Sequence, residues 1–247
     1  MVPECIAKAA SLTLPETVIA QASKNNPCML DSEIAIQLLS EWRGKAGALV
    51  AGPGLGRSGA SGDLIEWISR EWTNPLVLDG DALFFLSGRV NTGLSLITPH
   101  EGEAARLLGN TAKEVSAFRL RSVSELSTLY GPTLLKGPFS LCCDGNRTGL
   151  SLESTPALAV PGSGDVLAGI AGMLLARKLS PYRAGLAAAW IHARSAGRMT
   201  LVKGSEAGLL AAEVADGIPV VLGELHSPAA PAASGIPLRH PLHEKAN

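Results

Sequence analysis

Short apolar runs that stop abruptly at glycine, proline or aspartate recur along this chain of 247 residues. Such runs indicate buried strands that end in loops, and four occur in succession, at 48–51, 75–78, 94–98 and 133–136. Helical patterns lie beside and between them, at 31–41, 61–71, 103–108 and 113–129. Because strand and helix alternate, we expect an α/β fold with a mainly parallel sheet covered on both faces.

The second half of the chain changes pattern. The segments 142–143 and 148–152, joined through Asp144-Gly145-Asn146, predict a β-hairpin. Two helical patterns follow at 166–177 and 181–200. The Ala- and Pro-rich residues 224–247 cannot bury much apolar area, so they predict a disordered tail.

Composition excludes several classes of partner. The formal net charge is −1, which gives no electrostatic basis for binding nucleic acid or an anionic membrane surface. No apolar stretch reaches the ~18 residues of a membrane span, and the N-terminus lacks a signal-peptide pattern. The four cysteines form no CxxC pair, so we expect reduced thiols and a cytoplasmic protein.

The turn Gly162-Ser163-Gly164-Asp165 stands directly before an apolar helical run. Unpaired N–H groups and the dipole at a helix start form a site for phosphate. A carboxylate beside bound phosphate is placed to accept a proton or to help hold a metal. A plain helix start is the alternative, but two glycines around a serine cost chain entropy and favour a functional turn.

Other chemically capable residues follow the predicted strands, where ligands bind in open α/β sheets. They are Gly52 to Gly56, then Asp79 and Asp81, then His100, Glu101 and Glu103, and then Lys136 with Gly137. Each also has a structural interpretation: a tight turn, an N-cap for Asp81, acids favoured by the helix dipole, or a solvated strand end. These alternatives stay open at each position taken singly.

The order of five motifs is more specific than any one of them. In this order the chain resembles the ADP- or ATP-dependent NAD(P)H-hydrate dehydratase family of the ribokinase-like superfamily, over roughly residues 14–222. The motifs are Ala51-Gly52-Pro53-Gly54-Leu55-Gly56, Leu78-Asp79-Gly80-Asp81-Ala82-Leu83, Thr98-Pro99-His100-Glu101-Gly102-Glu103, Leu135-Lys136-Gly137 and Gly162-Ser163-Gly164-Asp165-Val166-Leu167-Ala168-Gly169. The resemblance implies a ribokinase-like three-layer α/β/α fold.

The resemblance also implies a repair reaction, in which ADP or ATP phosphorylates the hydroxyl of hydrated NADH or NADPH and loss of phosphate restores the dinucleotide. Asp165 would be the catalytic base, and Gly54, His100 and Asp165 would contact the substrate. The nucleotide and its phosphates would lie against Lys136, Gly137, Pro138, Phe139, Ser140, Gly162, Ser163 and Gly164. Mg²⁺ would be organised by Glu103. A functionally paired NAD(P)H-hydrate epimerase and a homo-oligomer are implied as well.

The resemblance places the domain at 14–223, after a divergent segment at 1–13. Family members usually begin with a strand–loop–helix–strand region that contributes to the substrate pocket, and we expect this region to be absent from the sequence. Two alternatives therefore remain. One is a ribokinase-like kinase of another small alcohol, and the other is an inactive remnant that binds a nucleotide.

Overall fold

The computed structural model describes residues 1–88, 90 and 93–226. Within them, six strands of three residues each form one sheet in the sequential order β1 to β6. Strands β1 to β4 run parallel, and β5 and β6 add an antiparallel hairpin. The strands are β1 (Leu49–Ala51), β2 (Leu76–Leu78), β3 (Ser95–Ile97), β4 (Thr133–Leu135), β5 (Leu141–Cys143) and β6 (Thr148–Leu150).

Helices cover both faces of the sheet, which confirms the predicted three-layer α/β/α arrangement. None of the helices in the described part of the chain is long and apolar enough to cross a membrane. The helices are α1 (Glu4–Thr13), α2 (Ser32–Trp42), α3 (Gly59–Glu71), α4 (Asp81–Phe85), α5 (Glu101–Leu108), α6 (Ala112–Ala117), α7 (Arg119–Tyr130), α8 (Ser163–Ala176), α9 (Pro181–Lys203) and α10 (Ala211–His226).

The strand pleat divides the core in two. In β2, Leu76 and Leu78 pack on the face covered by α3 to α7, while Val77 packs with α8 and α9 on the other. Connections between parallel strands are right-handed. Because β1 to β4 are adjacent in sequential order, the helices that connect them therefore lie on the same face of the sheet. The opposite face is left for the helices that follow the sheet in sequence.

Three helical features differ from the sequence predictions. The single helix predicted at 113–129 is wrong: Phe118 leaves helical geometry (φ −128°, ψ 46°) and separates α6 from α7. The sequence patterns do not predict helices α1 and α10, and α10 carries Pro219 inside it. Since α10 reaches His226, the first residues of the predicted tail are helical, and residues 227–247 lie outside the described residues.

The parallel strands all end at one edge of the sheet, and the backbone there is tightly packed. Gly52 follows β1 with φ 122°, and a Cβ at this position would lie 1.7 Å from the Asp79 carbonyl oxygen. The loops after β1 and β2 can therefore touch only because residue 52 has no side chain.

Replacing Gly52 by alanine is expected to destabilise the fold by about 3 kcal/mol, since it adds both a left-handed strain and a backbone clash. Gly59→Ala is the matched control, because Gly59 has no positive φ and nothing lies within 4 Å of the position that a methyl group would take. The free energy of unfolding of that control should remain within about 1 kcal/mol of the wild-type value. Urea unfolding of both variants measures the difference, and equal stabilities would contradict the close approach.

Candidate active site

A buried ion pair joins the ends of β2 and β4. Asp79 lies at the end of β2, and its Oδ1 is 2.5 Å from the Nζ of Lys136, which follows β4. Thr98, after β3, donates its hydroxyl to the same oxygen at 2.8 Å. The Asp79 side chain is only 3% exposed, so its charge is balanced by these two partners rather than by water.

Glu103 brings a second carboxylate to Lys136. Its Oε2 lies 3.7 Å from the Lys136 Nζ and accepts the His100 backbone N–H at 2.7 Å. The His100 Nδ1 accepts the N–H groups of Gly102 and Glu103 in return, at 2.9 and 3.3 Å. These bonds form a capping box at the start of α5. His100 thus has a structural task, while its side chain remains 60% exposed beside the site.

Asp81 does not cap α4; the N-cap is Gly80, with φ 55°. The N-cap interpretation of Asp81 is therefore wrong. Its carboxylate instead accepts the backbone N–H of Gly56 and the Arg57 Nε–H, both at 2.9 Å. Asp81 thus ties the glycine loop after β1 to the start of α4, because that loop presents an N–H within its reach.

Arg119 holds the loop that follows β4. Its guanidinium donates to the carbonyls of Pro138, Leu135 and Lys136, the latter two at 3.4 Å. Burial lowers the pKa of Arg119, and the nearby Glu101 partly offsets this. The clamp fixes the segment Lys136–Ser140, in which Phe139 takes a left-handed φ of 52° and stays half exposed.

The glycine turn forms the start of α8, with Gly162 as N-cap at φ 82°. Ser163 makes two hydrogen bonds to the preceding loop. Its backbone N–H donates to Val160 O at 3.3 Å, and its hydroxyl donates to Leu158 O at 2.7 Å. Gly164 faces the ion pair, because a Cβ there would lie 3.5 Å from the Lys136 Nζ. The turn therefore brings a helix N-terminus over the lysine.

Asp165 follows in the first turn of α8 and is exposed as a residue. The pKa of its carboxyl is raised, first by partial loss of solvent and then by the negative charge of Asp79, while Lys136 lowers it. The raised pKa makes Asp165 a better proton acceptor than an ordinary aspartate.

Two cavities meet at the start of α8. The first, here called the lysine cavity, has a volume of about 400 Å³ and is lined by Lys136, Gly137, Ser163, Gly164 and His192 among others. The second, here called the apolar cavity, has a volume of about 660 Å³. Its lining includes Leu38, Trp42, Val50, Pro53 and Asp165. Consecutive residues, Gly164 and Asp165, thus line different cavities.

His192, on α9, closes the wall of the lysine cavity and is 5% exposed. Burial lowers the pKa of its imidazole to about 4, with Lys136 lowering it further and a hydrogen bond to the Ser163 backbone opposing the shift. The ring is therefore neutral at pH 7.

The described residues contain no group of three or more His, Cys, Asp or Glu side chains that could hold a metal ion. Glu103 is a single carboxylate beside Lys136, and it is already engaged with the His100 N–H and Lys136. One carboxylate fits Mg²⁺ that is held mainly by phosphate oxygens and water, which is its usual mode of binding with nucleotides.

The structure brings most of the predicted residues to one edge of the sheet, and it adds three contacts that sequence reasoning misses. The sequence leaves both a turn position and a functional role open for Asp79, and the structure shows it as the buried partner of Lys136. Arg119 carries no local motif. His192 ends the helical segment Ala187-Ala188-Ala189-Trp190-Ile191-His192, which the family resemblance includes without a role for the histidine, and it reaches the cavity from a helix distant in sequence.

The fold is that of a ribokinase-like α/β/α protein. A ribokinase-like superfamily protein from Enterococcus faecalis superimposes with a TM-score of 0.69 at 20% identity, covering 88% of this chain and 73% of its own. An ADP/ATP-dependent NAD(P)H-hydrate dehydratase from Bacillus subtilis, co-crystallised with ATP/Mg²⁺, gives 0.72 at 23% identity, with coverages of 89% and 76%. At these identities the likeness shows the fold.

The family follows from sequence. Residues 4–220 match the family described as NAD(P)H-hydrate dehydratase, and the chain belongs to that family. The match reaches residue 4, whereas the motifs place the domain at 14–223.

Two curated relatives show how much of a longer protein the chain spans. It is 38% identical over 213 residues to the ADP-dependent (S)-NAD(P)H-hydrate dehydratase of Neisseria meningitidis, covering 82% of this chain and 70% of that protein. It is 36% identical over 219 residues to the bifunctional NAD(P)H-hydrate repair enzyme Nnr of Thermanaerovibrio acidaminovorans, covering 86% of this chain and 42% of that protein. The chain thus spans about two fifths of the bifunctional enzyme's length.

The neutral, buried state of His192 predicts an acid-sensitive contribution to stability. The unfolded imidazole has an ordinary pKa near 6.5 and the folded one about 4, so the contribution is complete above pH 6.5 and is lost as pH falls towards 4. Between pH 7.5 and 4.5 wild type should lose about 2–3 kcal/mol more than His192→Asn, which has no titrating ring. Urea unfolding at both pH values checks this, and parallel losses in the two proteins would contradict it.

Proposed function

We propose that this chain catalyses the ADP- or ATP-dependent dehydration of (S)-NAD(P)H hydrate. The γ- or β-phosphoryl group of the nucleotide passes to the hydroxyl on the hydrated nicotinamide ring, and the hydroxyl proton goes to a base. The ring nitrogen then expels phosphate, and loss of a ring proton restores the double bond of NADH or NADPH. The names of the relatives from Neisseria meningitidis and Thermanaerovibrio acidaminovorans support this reaction.

One observation carries the proposal: the start of α8 separates two cavities, with Gly164 lining one and Asp165 the other. A phosphoryl transfer needs a donor and an acceptor on opposite sides of the transferred group. The lysine cavity takes the nucleotide, and the apolar cavity takes the ring that carries the hydroxyl.

On the donor side, the positive groups converge where charge develops. The Lys136 ammonium lies beneath Gly164, and the helix dipole of α8 points its positive end at the same place. The amides of the turn Gly162–Gly164 supply hydrogen bonds to the phosphoryl oxygens, although the Ser163 N–H already has Val160 O as a distant partner. The loop Lys136–Ser140, held by Arg119, forms the floor under the nucleotide.

On the acceptor side, Asp165 takes the hydroxyl proton. Its raised pKa fits this role, because a base works best when its pKa approaches the working pH. Pro53 in the glycine loop lines the same cavity, and its neighbour Gly54 is open, with nothing within 4 Å of a Cβ position. Gly54 and the exposed His100 are the further substrate contacts of this proposal.

The proposal includes Mg²⁺, bound together with the nucleotide. Glu103 would help hold it, together with phosphate oxygens, and the ion would offset negative charge on the phosphates.

The remaining proposals concern the cellular setting. The bifunctional names of the relatives support work alongside an NAD(P)H-hydrate epimerase. The cysteine pattern supports a cytoplasmic location. A homo-oligomer is proposed from the family resemblance, and among the described strands β1 lies at one end of the sheet, with Val50 partly exposed.

The direct test is Asp165→Asn in an assay with hydrated NADH, ADP and Mg²⁺, following the near-ultraviolet absorbance of restored NADH. Loss of the base should lower turnover about 10²–10⁴-fold while ADP still binds. Asp63→Asn, an exposed aspartate away from the site, is the control and should match wild type.

Three outcomes decide between the alternatives. Wild type that binds ADP but never restores NADH would indicate the inactive remnant. A stable phosphorylated product would indicate a kinase. Full activity of Asp165→Asn would refute the role of Asp165 as base.

The charges around Asp165 also predict how the activity depends on pH. The base must be deprotonated, so its raised pKa places the acid limb of activity at a higher pH than for an ordinary aspartate. Asp79→Asn removes the charge that raises this pKa and should move the limb to lower pH; Lys136→Gln should move it to higher pH. Rates of each variant across pH, with Asp63→Asn alongside, measure the shifts, and shifts of the same sign in both variants would contradict the assignment.

A further inference from the structure

The exposed ring of Phe84, on α4, lies close to two arginine side chains. The Arg57 guanidinium carbon is 4.9 Å from the ring centroid, and that of Arg106 is 5.3 Å from it. In the described part of the chain, this is the only ring with two cations at such a distance. Two positive groups around one ring repel each other, so a negative partner stabilises the arrangement.

The protein supplies only part of that negative charge. Asp81 Oδ1 accepts the Arg57 Nε–H at 2.9 Å, and among the described residues this is the single ion pair of the cluster. The other N–H groups of Arg57 have no partner in the same part of the chain, and its side chain is 59% exposed. Arg106 donates instead to the carbonyls of Leu83 and Phe84. Arg57 is therefore the arginine that is free to hold an anion.

This cluster of Arg57, Phe84 and Arg106 borders the apolar cavity through the glycine loop. Pro53 and Leu55 line that cavity, and Arg57 follows Leu55 by two residues. The start of α4 packs on the same loop, because a Cβ at Gly80 would lie 3.9 Å from the Pro53 Cα. Two residues of backbone span less than ~8 Å, so the Arg57 backbone lies within that distance of the cavity wall.

The substrate of the proposed reaction carries negative charge that the apolar cavity does not balance. Among the described residues that line it, Asp165 has the one charged side chain, and that charge is negative. Lys136 lies in the wall of the lysine cavity, where it pairs with Asp79. Phosphate groups that extend from the apolar cavity are therefore best stabilised by another cation near its border.

We propose that Arg57 binds a phosphate group of the hydrated dinucleotide, with Arg106 adding positive charge and Phe84 fixing the position of both. Arg57 follows the loop that contains Gly54, and Arg106 belongs to α5, which His100 caps. Gly54 and His100 are the substrate contacts of the proposed function, on which this inference rests for the identity of the ligand. The phosphate belongs either to the pyrophosphate bridge or to the 2′ position that only NADPH carries, and a guanidinium binds the oxygens of both.

Binding of hydrated NADH and hydrated NADPH in the absence of ADP tests the inference, because neither hydrate can be phosphorylated without a donor. Arg57→Gln removes the charge, and we expect its Kd by calorimetry to rise about 10-fold. Equal rises for both hydrates assign the pyrophosphate, and a rise confined to hydrated NADPH assigns the 2′-phosphate. Added salt should weaken binding by wild type more than by Arg57→Gln, since it screens a charge that the variant lacks.

Arg147→Gln is the matched control. Arg147 also donates its Nε–H to an aspartate, at 3.0 Å, and its guanidinium carbon lies 4.2 Å from the Tyr182 ring centroid. It belongs to the turn between β5 and β6, at the other end of the sheet order from β1, so its Kd for both hydrates should equal that of wild type. The Kd of Arg57→Gln for ADP should also be unchanged, which shows that the lysine cavity is intact.

The inference is overturned if Arg57→Gln binds both hydrates like wild type, if it loses ADP affinity to the same extent, or if wild type binds neither hydrate. An equal loss in Arg147→Gln, or equal salt dependence in wild type and Arg57→Gln, would also contradict it. If the expected binding pattern is seen but wild type restores no NADH after ADP and Mg²⁺ are added, the proposed reaction fails and this inference stands.

Discussion

The buried ion pair between Asp79 and Lys136 is the interaction on which the site depends. It joins the ends of β2 and β4 across β3, and Thr98 from the exit of β3 completes the bonding of the carboxylate. A buried charge left alone is costly, so neither partner can leave without destabilising the other. The pair thereby holds one ammonium at a constant position under Gly164, within 3.7 Å of Glu103.

Around this pair, close backbone contacts determine the shape of the site. Gly52 lets the loop after β1 rest on the Asp79 carbonyl, and α8 begins at van der Waals distance from the lysine, at Gly164. The same helix start separates the lysine cavity from the apolar cavity. A space that holds the Lys136 ammonium in its wall and a second space that holds the Asp165 carboxylate therefore lie on either side of this helix start. Separate donor and acceptor sites are what a phosphoryl transfer requires.

Sequence patterns predict the elements well where periodicity is strong. The four parallel strands, the hairpin and the helices at α2, α3, α8 and α9 lie where expected, within a few residues at their ends. Prediction fails at two places: the helical pattern breaks at Phe118, and α10 continues through Pro219, a residue that usually ends a helix. Asp81 has two plausible local roles, and only the nearby Gly56 N–H decides that it bridges loops instead of capping α4.

By itself, the sequence determined the family, the order of the strands along the chain, the strand-end motifs and the glycine turn before Asp165. These follow from local patterns, because strands, turns and helix starts are specified by residues that are neighbours in the chain. Only the tertiary structure decided that Asp79 pairs with Lys136, that Arg119 clamps the loop after β4, and that His192 faces the lysine cavity. These contacts join residues far apart in sequence, and the parallel sheet and the packing of α9 on α8 bring them together.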